Sequence, residues 1–403
     1  ASLVNYVLNA AWKQDVSVRE DGQDVDLRSV PVTNQLIRGT IKVKKLGEQA
    51  DAQAESVPLE GVVFSLFAKS EGVVSDTAFA TATTGADGVA SFERVPYGSY
   101  VVRETGPLAA YNPSVEVQGR EVSVTGAGEL VDLTGTAFVN TMKRGTVKVK
   151  KLGEQADPAA ESVPLEGVVF SLFAKTDGVV SDSAFATATT GVDGVASFEG
   201  VPYGSYVVRE TGPLAAYNPS SEAQGREVSV TREGELVDLT NSAFTNTMKR
   251  GTVTVTKVDA DSRAALAGVT FQLKQEGVVK YEAVTDSSGV ATFSSVAYGD
   301  YTLVESASLV SHVLRADYSA DVAVREHGAR VDVGTVDNPI KRGTVKVKKL
   351  GEQADAGAEN VPLVGVVFSL FAKTDGVVSD TAFATATTGA DGVASFERVP
   401  YGS

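Results

Sequence analysis

The chain has no cysteine and only two histidines among its 403 residues. The absence of cysteine excludes disulfide bonds, thiolate metal sites and cysteine nucleophiles. Basic residues are a minority, and the net charge of −15 argues against nucleic-acid binding, which needs basic faces that neutralise phosphates. No apolar run reaches the roughly 18 residues that a membrane-spanning helix requires. These absences predict a soluble protein with an acidic, self-repelling surface, no membrane span and no nucleic-acid partner.

One stretch that the chain does contain is repeated along its length. The sequence KRGTVKVKK around Gly145 returns as KRGTVTVTK around Gly251 and as KRGTVKVKK around Gly343, and a weaker copy, IRGTIKVKK, surrounds Gly39. Successive glycines are 106, 106 and 92 residues apart, and each interval is long enough to bury one hydrophobic core. We interpret each copy as a seam, where the last strand of one domain leads through a short linker into the first strand of the next.

The seams predict three whole domains, at 39–144, 145–250 and 251–342, which we call the first, second and third repeats. Residues 1–38 are predicted to be the C-terminal part of a truncated domain, and 343–403 the N-terminal part of another. No signal peptide or sorting signal is visible, and the chain does not begin with Met. Because the chain starts and stops inside predicted domains, we expect this sequence to be a window on a longer polypeptide.

Within one repeat the pattern is that of short strands. From Thr40 to Leu46 the residues alternate, so that Ile41, Val43 and Lys45 share one face and two further lysines share the other. Later runs end at glycine-containing turns. Seven or more short strands, with no sustained helical period, predict an all-β, antiparallel β-sandwich.

A lysine on the apolar face of the first strand recurs with two partners. A glutamate ends the strand sequence YVVRE or YTLVE, and an asparagine ends the last strand of the repeat. The three sets are Lys45, Glu104 and Asn140; Lys151, Glu210 and Asn246; and Lys257, Glu305 and Asn338. The lysine and asparagine are 95, 95 and 81 residues apart, so the set persists although the third repeat has shorter loops. Asn34 and Lys349 fit the same pattern, but we expect their partners to lie outside this window, so their sets are incomplete.

These residue types suggest a specific reaction. A buried lysine is costly unless it is paired or neutral. Burial lowers its pKa and raises that of a nearby carboxyl group, which leaves a nucleophilic amine beside an acid that can move protons. An asparagine amide held against the amine can lose ammonia and form a Lys–Asn amide bond, with the folded core supplying the effective concentration. The alternative is an unreacted, buried Lys–Glu pair with the asparagine capping a strand edge.

The motifs resemble the Cna protein B-type domains of Gram-positive surface adhesins and sortase-assembled pilins. The likeness is carried by VTVTKVDADSRAALAGVTFQL at 253–273, the GVASF and VPYGSY segments, the box YVVRETGPLAAY and the terminal asparagine. It implies Ig-like or prealbumin-like sandwiches in an extended rod, each closed by an internal isopeptide bond. The implied bonds are Lys45–Asn140, Lys151–Asn246 and Lys257–Asn338, assisted without turnover by Glu104, Glu210 and Glu305. The third repeat departs from the box, since YTLVESASLVSHV lacks the proline and the usual E-T.

These expectations favour a non-enzymatic structural protein, the stalk of a bacterial cell-surface adhesin or fibre, outside a Gram-positive cell and anchored in its wall. Two alternatives stay open: a multivalent module whose repeats bind a host or matrix ligand, and the backbone of a sortase-assembled pilus. A host or matrix protein would bind through a head domain outside this window. Lateral or end-to-end assembly into fibres is left open, and no cofactor is expected.

Two polar features invite a metal or catalytic interpretation. Asp259 and Asp261 suggest calcium, but no further carboxylates converge at ligand spacing, which favours turn chemistry. His312 and His327 have no counterpart in the other repeats, and we expect both at the surface, as neither a catalytic base nor a metal ligand. We therefore predict no metal site.

Overall fold

The computed structural model describes residues 4–402, and every regular element in that range is a β-strand. These residues accordingly include no helix of the length and apolar character needed to cross a membrane. The N-terminal piece contains β1 (Tyr6–Val7) and β2 (Gln35–Leu36). The strands of the first repeat are β3 (Arg38–Gly47), β4 (Val57–Pro58), β5 (Val63–Ser70), β6 (Val73–Val74), β7 (Ala80–Thr83), β8 (Val89–Pro96), β9 (Gly98–Gly106), β10 (Arg120–Val124) and β11 (Leu130–Asn140).

The remaining strands follow in the same chain order. Those of the second repeat are β12 (Arg144–Gly153), β13 (Val163–Pro164), β14 (Val169–Thr176), β15 (Val179–Val180), β16 (Ala186–Thr189), β17 (Val195–Pro202), β18 (Gly204–Gly212), β19 (Arg226–Val230), β20 (Leu236–Asp238) and β21 (Phe244–Asn246). Those of the third repeat are β22 (Arg250–Asp259), β23 (Thr270–Gln275), β24 (Val278–Val284), β25 (Val290–Ala297), β26 (Gly299–Ala307), β27 (Ser319–Val324) and β28 (Arg330–Asn338). The C-terminal piece contains β29 (Arg342–Lys348), β30 (Leu350–Gly351), β31 (Val361–Pro362), β32 (Val367–Thr374), β33 (Val377–Thr387) and β34 (Val393–Pro400).

The first strand of a repeat alternates between core and surface. In β3, Ile41, Val43 and Lys45 are fully buried, whereas the residues between them are only half-buried. β-Branched residues on the inner face suit a pleated, packed surface. β22 repeats the pattern in the third repeat, with Lys257 fully buried at the corresponding position. The lysine on the apolar face therefore lies inside the sandwich.

Two sheets face each other in the first repeat. One has the order β10-β9-β5-β6, with β7 also on β5, and the other has the order β11-β3-β4, with β8 also on β3. The rings of Phe64 and Phe138, one from each sheet, lie 5.1 Å apart, and Leu66 and Val102 belong to the same core. Burying each such side chain contributes roughly 1.5–3 kcal/mol. In the third repeat, β25-β22-β28 and β24-β23-β26-β27 form the corresponding sheets.

The last strand of a repeat pairs with the first in parallel orientation. In the first repeat, Leu130 lies opposite Thr40 and Asn140 lies opposite Gly47, and β28 pairs with β22 in the same way. Parallel neighbours need a long connection between them, and here that connection is the body of the repeat, which visits the opposite sheet before it returns. The predicted antiparallel, all-β sandwich is confirmed, apart from this one type of pairing.

The chain divides into two compact units. The first comprises the chain up to Leu152 with Pro164–Gly212 and Ser221–Phe244, and the second comprises Gly153–Val163, Pro213–Ser220 and the chain from Thr245 onwards. The division passes through the second repeat. The first and third repeats each lie wholly within one unit.

Within each unit, an arginine at the start of one repeat's or piece's first strand pairs with an acidic residue of the preceding repeat. That acidic residue lies in the loop directly after the preceding repeat's own first strand. The three pairs, each with a nitrogen–oxygen distance of 2.7 Å, are Arg144–Glu48, Arg250–Glu154 and Arg342–Asp261. Partly exposed ion pairs contribute little individually. Their recurrence nevertheless places the same ion pair beside the three seams around Gly145, Gly251 and Gly343.

Candidate cross-linking site

Three side chains from three strands meet inside the first repeat. Lys45 projects from β3, Glu104 from β9 and Asn140 from the end of β11, and none of the three is more than 2% exposed. Lys45 Nζ lies 3.0 Å from Glu104 Oε2 and also donates a hydrogen bond to Asn140 Oδ1. Asn140 Nδ2 donates to Glu104 Oε1 at 2.6 Å. Each member of the set therefore contacts both of the others.

Strand register places these groups together. Phe138 lies opposite Lys45 in the pairing of β11 with β3, and Phe64 lies opposite Glu104 in the pairing of β5 with β9. Because alternate residues of a strand face the same side, Asn140 turns inward with Phe138. The site is thus built beside the aromatic pair of the core, where polar groups have few partners except one another.

Burial changes the protonation chemistry of the lysines. It lowers the pKa of the Lys45 amine, and the hydrogen bond and negative charge of Glu104 oppose the shift without cancelling it. Burial is also the main cause of the lowered pKa of Lys151 and of Lys257. A lowered pKa increases the fraction of neutral amine, which is the nucleophilic form.

Glu104 bridges the two nitrogens of the site. One of its oxygens lies 3.0 Å from Lys45 Nζ and the other lies 2.6 Å from Asn140 Nδ2. A carboxyl group within hydrogen-bond reach of both can take a proton from the attacking amine and give one to the departing amide nitrogen. The arrangement can therefore support attack of the amine on the amide carbon with loss of ammonia.

The third repeat brings the same residue types together. Lys257 Nζ donates to Asn338 Oδ1 at 2.5 Å and lies 3.1 Å from Glu305 Oε2. Asn338 Nδ2 donates to Glu305 Oε1 at 2.5 Å, and all three residues are buried. This repeat keeps the arrangement although its box departs from the sequence found in the other two.

The second repeat retains the same buried groups. Lys151 Nζ lies 2.7 Å from Glu210 Oε2, with both side chains at most 2% exposed. Asn246, the asparagine of this set, is also buried. By contrast, Asn34 and Lys349, which fit the pattern near the ends of the sequence, are exposed.

Two further groups at the sites escaped the sequence analysis. The backbone N–H of Ser114 donates to Glu104 Oε2 at 3.0 Å, and the Ser308 hydroxyl accepts a hydrogen bond from Asn338 Nδ2 at 2.8 Å. A backbone donor in an irregular loop leaves no residue-type signal. Ser308 did differ in residue type, because it stands where the first two repeats have a proline. Only the fold shows that its hydroxyl points at Asn338.

The expectation that His312 lies at the surface is wrong. It is 7% exposed, and its Nε2 lies 2.9 Å from Asp259 Oδ2. His312 takes the position of Tyr111 in the first repeat, since both form a bridge to the segment after the last strand. A side chain added at Gly47 would meet Tyr111 at 2.6 Å, so the aspartate at the corresponding position of the third repeat requires a different ring. His312 and Asp259 therefore replace, as a pair, the tyrosine and glycine of the first repeat.

Asp259 also organises the turn that follows its strand. Its Oδ1 accepts hydrogen bonds from the backbone N–H groups of Asp261 at 2.9 Å and Ser262 at 2.6 Å, which is turn chemistry. His327, the other histidine, is exposed. Among residues 4–402, no group of three or more histidine or acidic side chains is placed to hold a metal ion.

We expect acid to destabilise the third repeat more than the first. Hydrogen bonds, first from the Ser262 backbone and then from His312, hold the pKa of Asp259 well below its usual range. A carboxylate with a depressed pKa stabilises the fold above its unfolded pKa of about 4, and that stabilisation is lost as the pH falls below this value. The measurement is the urea concentration at which pepsin cleaves half of each repeat, with the repeats distinguished by peptide mass. As the pH is lowered, this midpoint should begin to fall at a higher pH in the third repeat than in the first.

The first repeat of the same molecule is the internal control, because it has Gly47 at the corresponding position. Asp259→Asn should bring the pH dependence of the third repeat close to that of the first. An unchanged pH dependence in this variant would show that Asp259 is not the responsible group.

Comparison with known proteins gives the following matches. The sequence family described as "SpaA: Prealbumin-like fold domain" matches residues 39–137, 145–243 and 251–339. No curated protein matches the sequence. These family matches confirm the tandem prealbumin-like repeats that the motifs indicated.

Several solved structures are similar to this chain. The Bacillus anthracis TIE protein has a TM-score of 0.54 and 24% identity, with 76% of this chain and 52% of that protein covered. BcpA, the major pilin subunit of Bacillus cereus, has a TM-score of 0.35 and 19% identity, with 75% and 100% covered. A streptococcal ancillary pilin has a TM-score of 0.26 and 18% identity, with 75% and 99% covered. The chain thus spans about half the length of the first of these proteins, and that likeness concerns the fold.

Proposed function

The chain belongs to the SpaA family of prealbumin-like fold domains, and we propose that it is a structural stalk whose repeats are closed by internal Lys–Asn isopeptide bonds. The bonds are Lys45–Asn140, Lys151–Asn246 and Lys257–Asn338, formed with the help of Glu104, Glu210 and Glu305. Each forms once, after folding, so the protein turns over no substrate. The domain limits of the proposal are the predicted ones, at 39–144, 145–250 and 251–342.

One observation carries this proposal. In the first and third repeats, an amine, a carboxyl group and a carboxamide are buried together, each within hydrogen-bond distance of the next. An unreacted buried ion pair with a third polar group is a poor source of stability, because desolvation offsets most of its attraction. A covalent bond provides a physical reason for burying these three groups at one point.

The proposed reaction balances as a condensation. The neutral Lys45 amine attacks the Asn140 side-chain carbon, the Nζ–Cγ bond forms and the Cγ–Nδ2 bond breaks. Glu104 takes a proton from Nζ through one oxygen and supplies one to Nδ2 through the other, so that ammonia leaves and the carboxyl group is regenerated. The folded core holds the reacting groups in place, which supplies the effective concentration that a slow amide exchange needs.

The strand arrangement gives the bond a mechanical role. β3 enters the first repeat and β11 leaves it, and the two strands are parallel neighbours. Force pulling the ends of the repeat apart would shear one strand along the other. A bond from Lys45 to Asn140, which lie 95 positions apart, passes that force directly between the two strands, so the residues between the linked side chains carry none of it. By analogy with disulfide closure of a long loop, the bond would add roughly 4–5 kcal/mol of stability.

This role suits the outside of a Gram-positive cell. The motif resemblance to surface adhesins and pilins and the tandem repeats of one domain family both support it. The ion pairs of Arg144, Arg250 and Arg342 recur at successive seams, which is in keeping with a stalk built by tandem repetition of one unit. Anchoring in the cell wall, a ligand-binding head and assembly into fibres belong to the same proposal.

Intact-mass measurement of the full chain tests the proposal. Each bond removes one ammonia, so three bonds lower the mass by about 51 Da, or about 17 Da each, relative to the sum of the residues. Lys151→Ala should abolish one of these three losses and make the second repeat sensitive to protease. Lys148→Ala, which alters a half-buried lysine on the same strand, is the matched control and should keep all three. A wild-type mass equal to the simple sum would reject the bond in every repeat.

A further inference from the structure

The third repeat holds its asparagine differently from the first. Asn338 Nδ2 donates to Glu305 Oε1 at 2.5 Å and also to the Ser308 hydroxyl at 2.8 Å. In the first repeat, the residue three positions after the glutamate is Pro107, which has no hydroxyl. The departing nitrogen of the proposed reaction thus has an additional acceptor in the third repeat.

The glutamate, by contrast, has more hydrogen-bond partners in the first repeat than in the third. Glu104 Oε2 accepts a hydrogen bond from the backbone N–H of Ser114 at 3.0 Å. Glu305 Oε2 is buried 3.1 Å from Lys257 Nζ and has no hydrogen-bond partner among the described residues. In the first repeat, therefore, the backbone of Ser114 holds the carboxyl group of the glutamate. In the third repeat, the Ser308 hydroxyl holds the carboxamide of the asparagine.

We propose that Ser308 positions the leaving nitrogen for bond formation in the third repeat. This inference rests on the proposed Lys257–Asn338 bond. By holding one N–H of Asn338, the hydroxyl sets the rotation of the amide so that its nitrogen stays against Glu305 Oε1, the oxygen that must protonate it. Lys257 Nζ then bonds to the side-chain carbon, the bond from that carbon to Nδ2 breaks, and ammonia departs with the proton that Glu305 relays from Nζ.

The arrangement also accounts for the altered box sequence. The third repeat has E-S-A-S where the first two have E-T-G-P. Without the hydrogen bond that Ser114 supplies in the first repeat, Glu305 has fewer constraints on its orientation. The Ser308 hydroxyl, which is hydrogen-bonded to Asn338 and not to the glutamate, restores the alignment of the carboxyl group with the amide. Ser308 is thus a compensation specific to this repeat.

The test is a time course of bond formation in the full chain during cell-free synthesis. Samples are denatured at intervals and digested, and the cross-linked peptides of the first and third repeats are quantified by mass. Ser308→Ala should slow formation of the Lys257–Asn338 bond roughly tenfold, the effect on a rate of losing one ordinary hydrogen bond. The Lys45–Asn140 bond in the same molecules serves as the internal clock and should be unaffected.

Three further variants separate positioning from a general loss of structure. Ser308→Thr keeps the hydroxyl and should restore the rate. Ser306→Ala removes a nearby hydroxyl that donates to the Thr270 carbonyl at 3.3 Å, away from the amide, and should leave the rate unchanged. If Ser308→Ala exposes the backbone amides of the third repeat to rapid exchange, Ser308→Cys keeps the size with a weaker acceptor and should react more slowly than wild type in a folded repeat.

The outcomes are distinct. A wild-type rate in a folded Ser308→Ala or Ser308→Cys chain overturns the role of Ser308 and leaves the isopeptide proposal intact. Absence of both cross-links in the wild-type chain overturns the isopeptide proposal, and the role of Ser308 with it.

Discussion

Replacing Glu104 with glutamine is expected to leave Lys45 and Asn140 unlinked while the other two repeats still close. Glu104 touches both nitrogens, at 3.0 Å and 2.6 Å, and glutamine cannot relay a proton between them. Proton transfer by a positioned side chain is typically worth 10²–10⁴-fold in rate. Intact mass should show two ammonia losses instead of three, with the unlinked peptides mapping to the first repeat.

The same substitution should markedly lower the stability of the first repeat. The loop-closing effect of the bond, roughly 4–5 kcal/mol by analogy with a disulfide, is lost. Lys45 is also left fully buried without its counter-charge, and removing one partner of a buried ion pair costs about 3–5 kcal/mol. Urea-dependent proteolysis should show the first repeat unfolding well before the others.

Glu121→Gln is the matched control for this experiment. Glu121 lies on β10, next to the strand of Glu104, and its side chain is 69% exposed while paired with Lys69. It should retain three ammonia losses and near-wild-type stability, since exposed ion pairs contribute little. Formation of the Lys45–Asn140 bond at the wild-type rate in Glu104→Gln would rule out the proton-relay role of the carboxyl group.

Stretched by its two ends in a single-molecule experiment, the wild-type chain should gain almost no length from the linked segments of its three repeats. Force that enters one strand leaves through the bond before it reaches the residues between the linked side chains. Asn338→Ala should release the segment between Lys257 and the substituted position, which lie 81 positions apart. At about 3.3–3.6 Å per extended residue, that release adds roughly 280 Å in one step.

Asn140→Ala should produce a longer step, because the linked positions of the first repeat lie 95 apart. The expected gain there is roughly 330 Å. Asn241→Ala, which alters an exposed asparagine, is the control and should extend no further than wild type. Steps of this size in the wild-type chain would mean that its repeats unfold without a covalent tie.

Local periodicity accounts for how much could be predicted. Residues two apart on a strand share a face, so the alternation in TIKVKKL was sufficient to place Lys45 with Ile41 and Val43 on the inner face. Recurrence of the lysine, glutamate and asparagine in repeats of different length distinguished that set from many other charged residues. Whether the three groups react stays a prediction, although the structure brings them into contact.

Other features depended on which distant segments become neighbours. The direction of β11 against β3 follows from the path through the opposite sheet, which no local pattern records. Burial of His312 depends on Asp259, 53 residues earlier in the chain, because the pair replaces a tyrosine packed over a glycine. The contact of Ser308 with Asn338 spans 30 residues and looked in the sequence only like a missing proline.

By itself, the sequence determined the all-β class, the tandem repeats and the inward lysine of each first strand, because these depend on spacings of two residues and on repetition of whole segments. Only the tertiary structure decided that amine, carboxyl group and carboxamide meet at one point, and that Ser308 contacts the asparagine in one repeat while the Ser114 backbone contacts the glutamate in another. Hydrogen bonds act over about 3 Å, whereas the partners lie 10 to 95 residues apart along the chain. Their encounter is therefore set by strand order, strand direction and loop path.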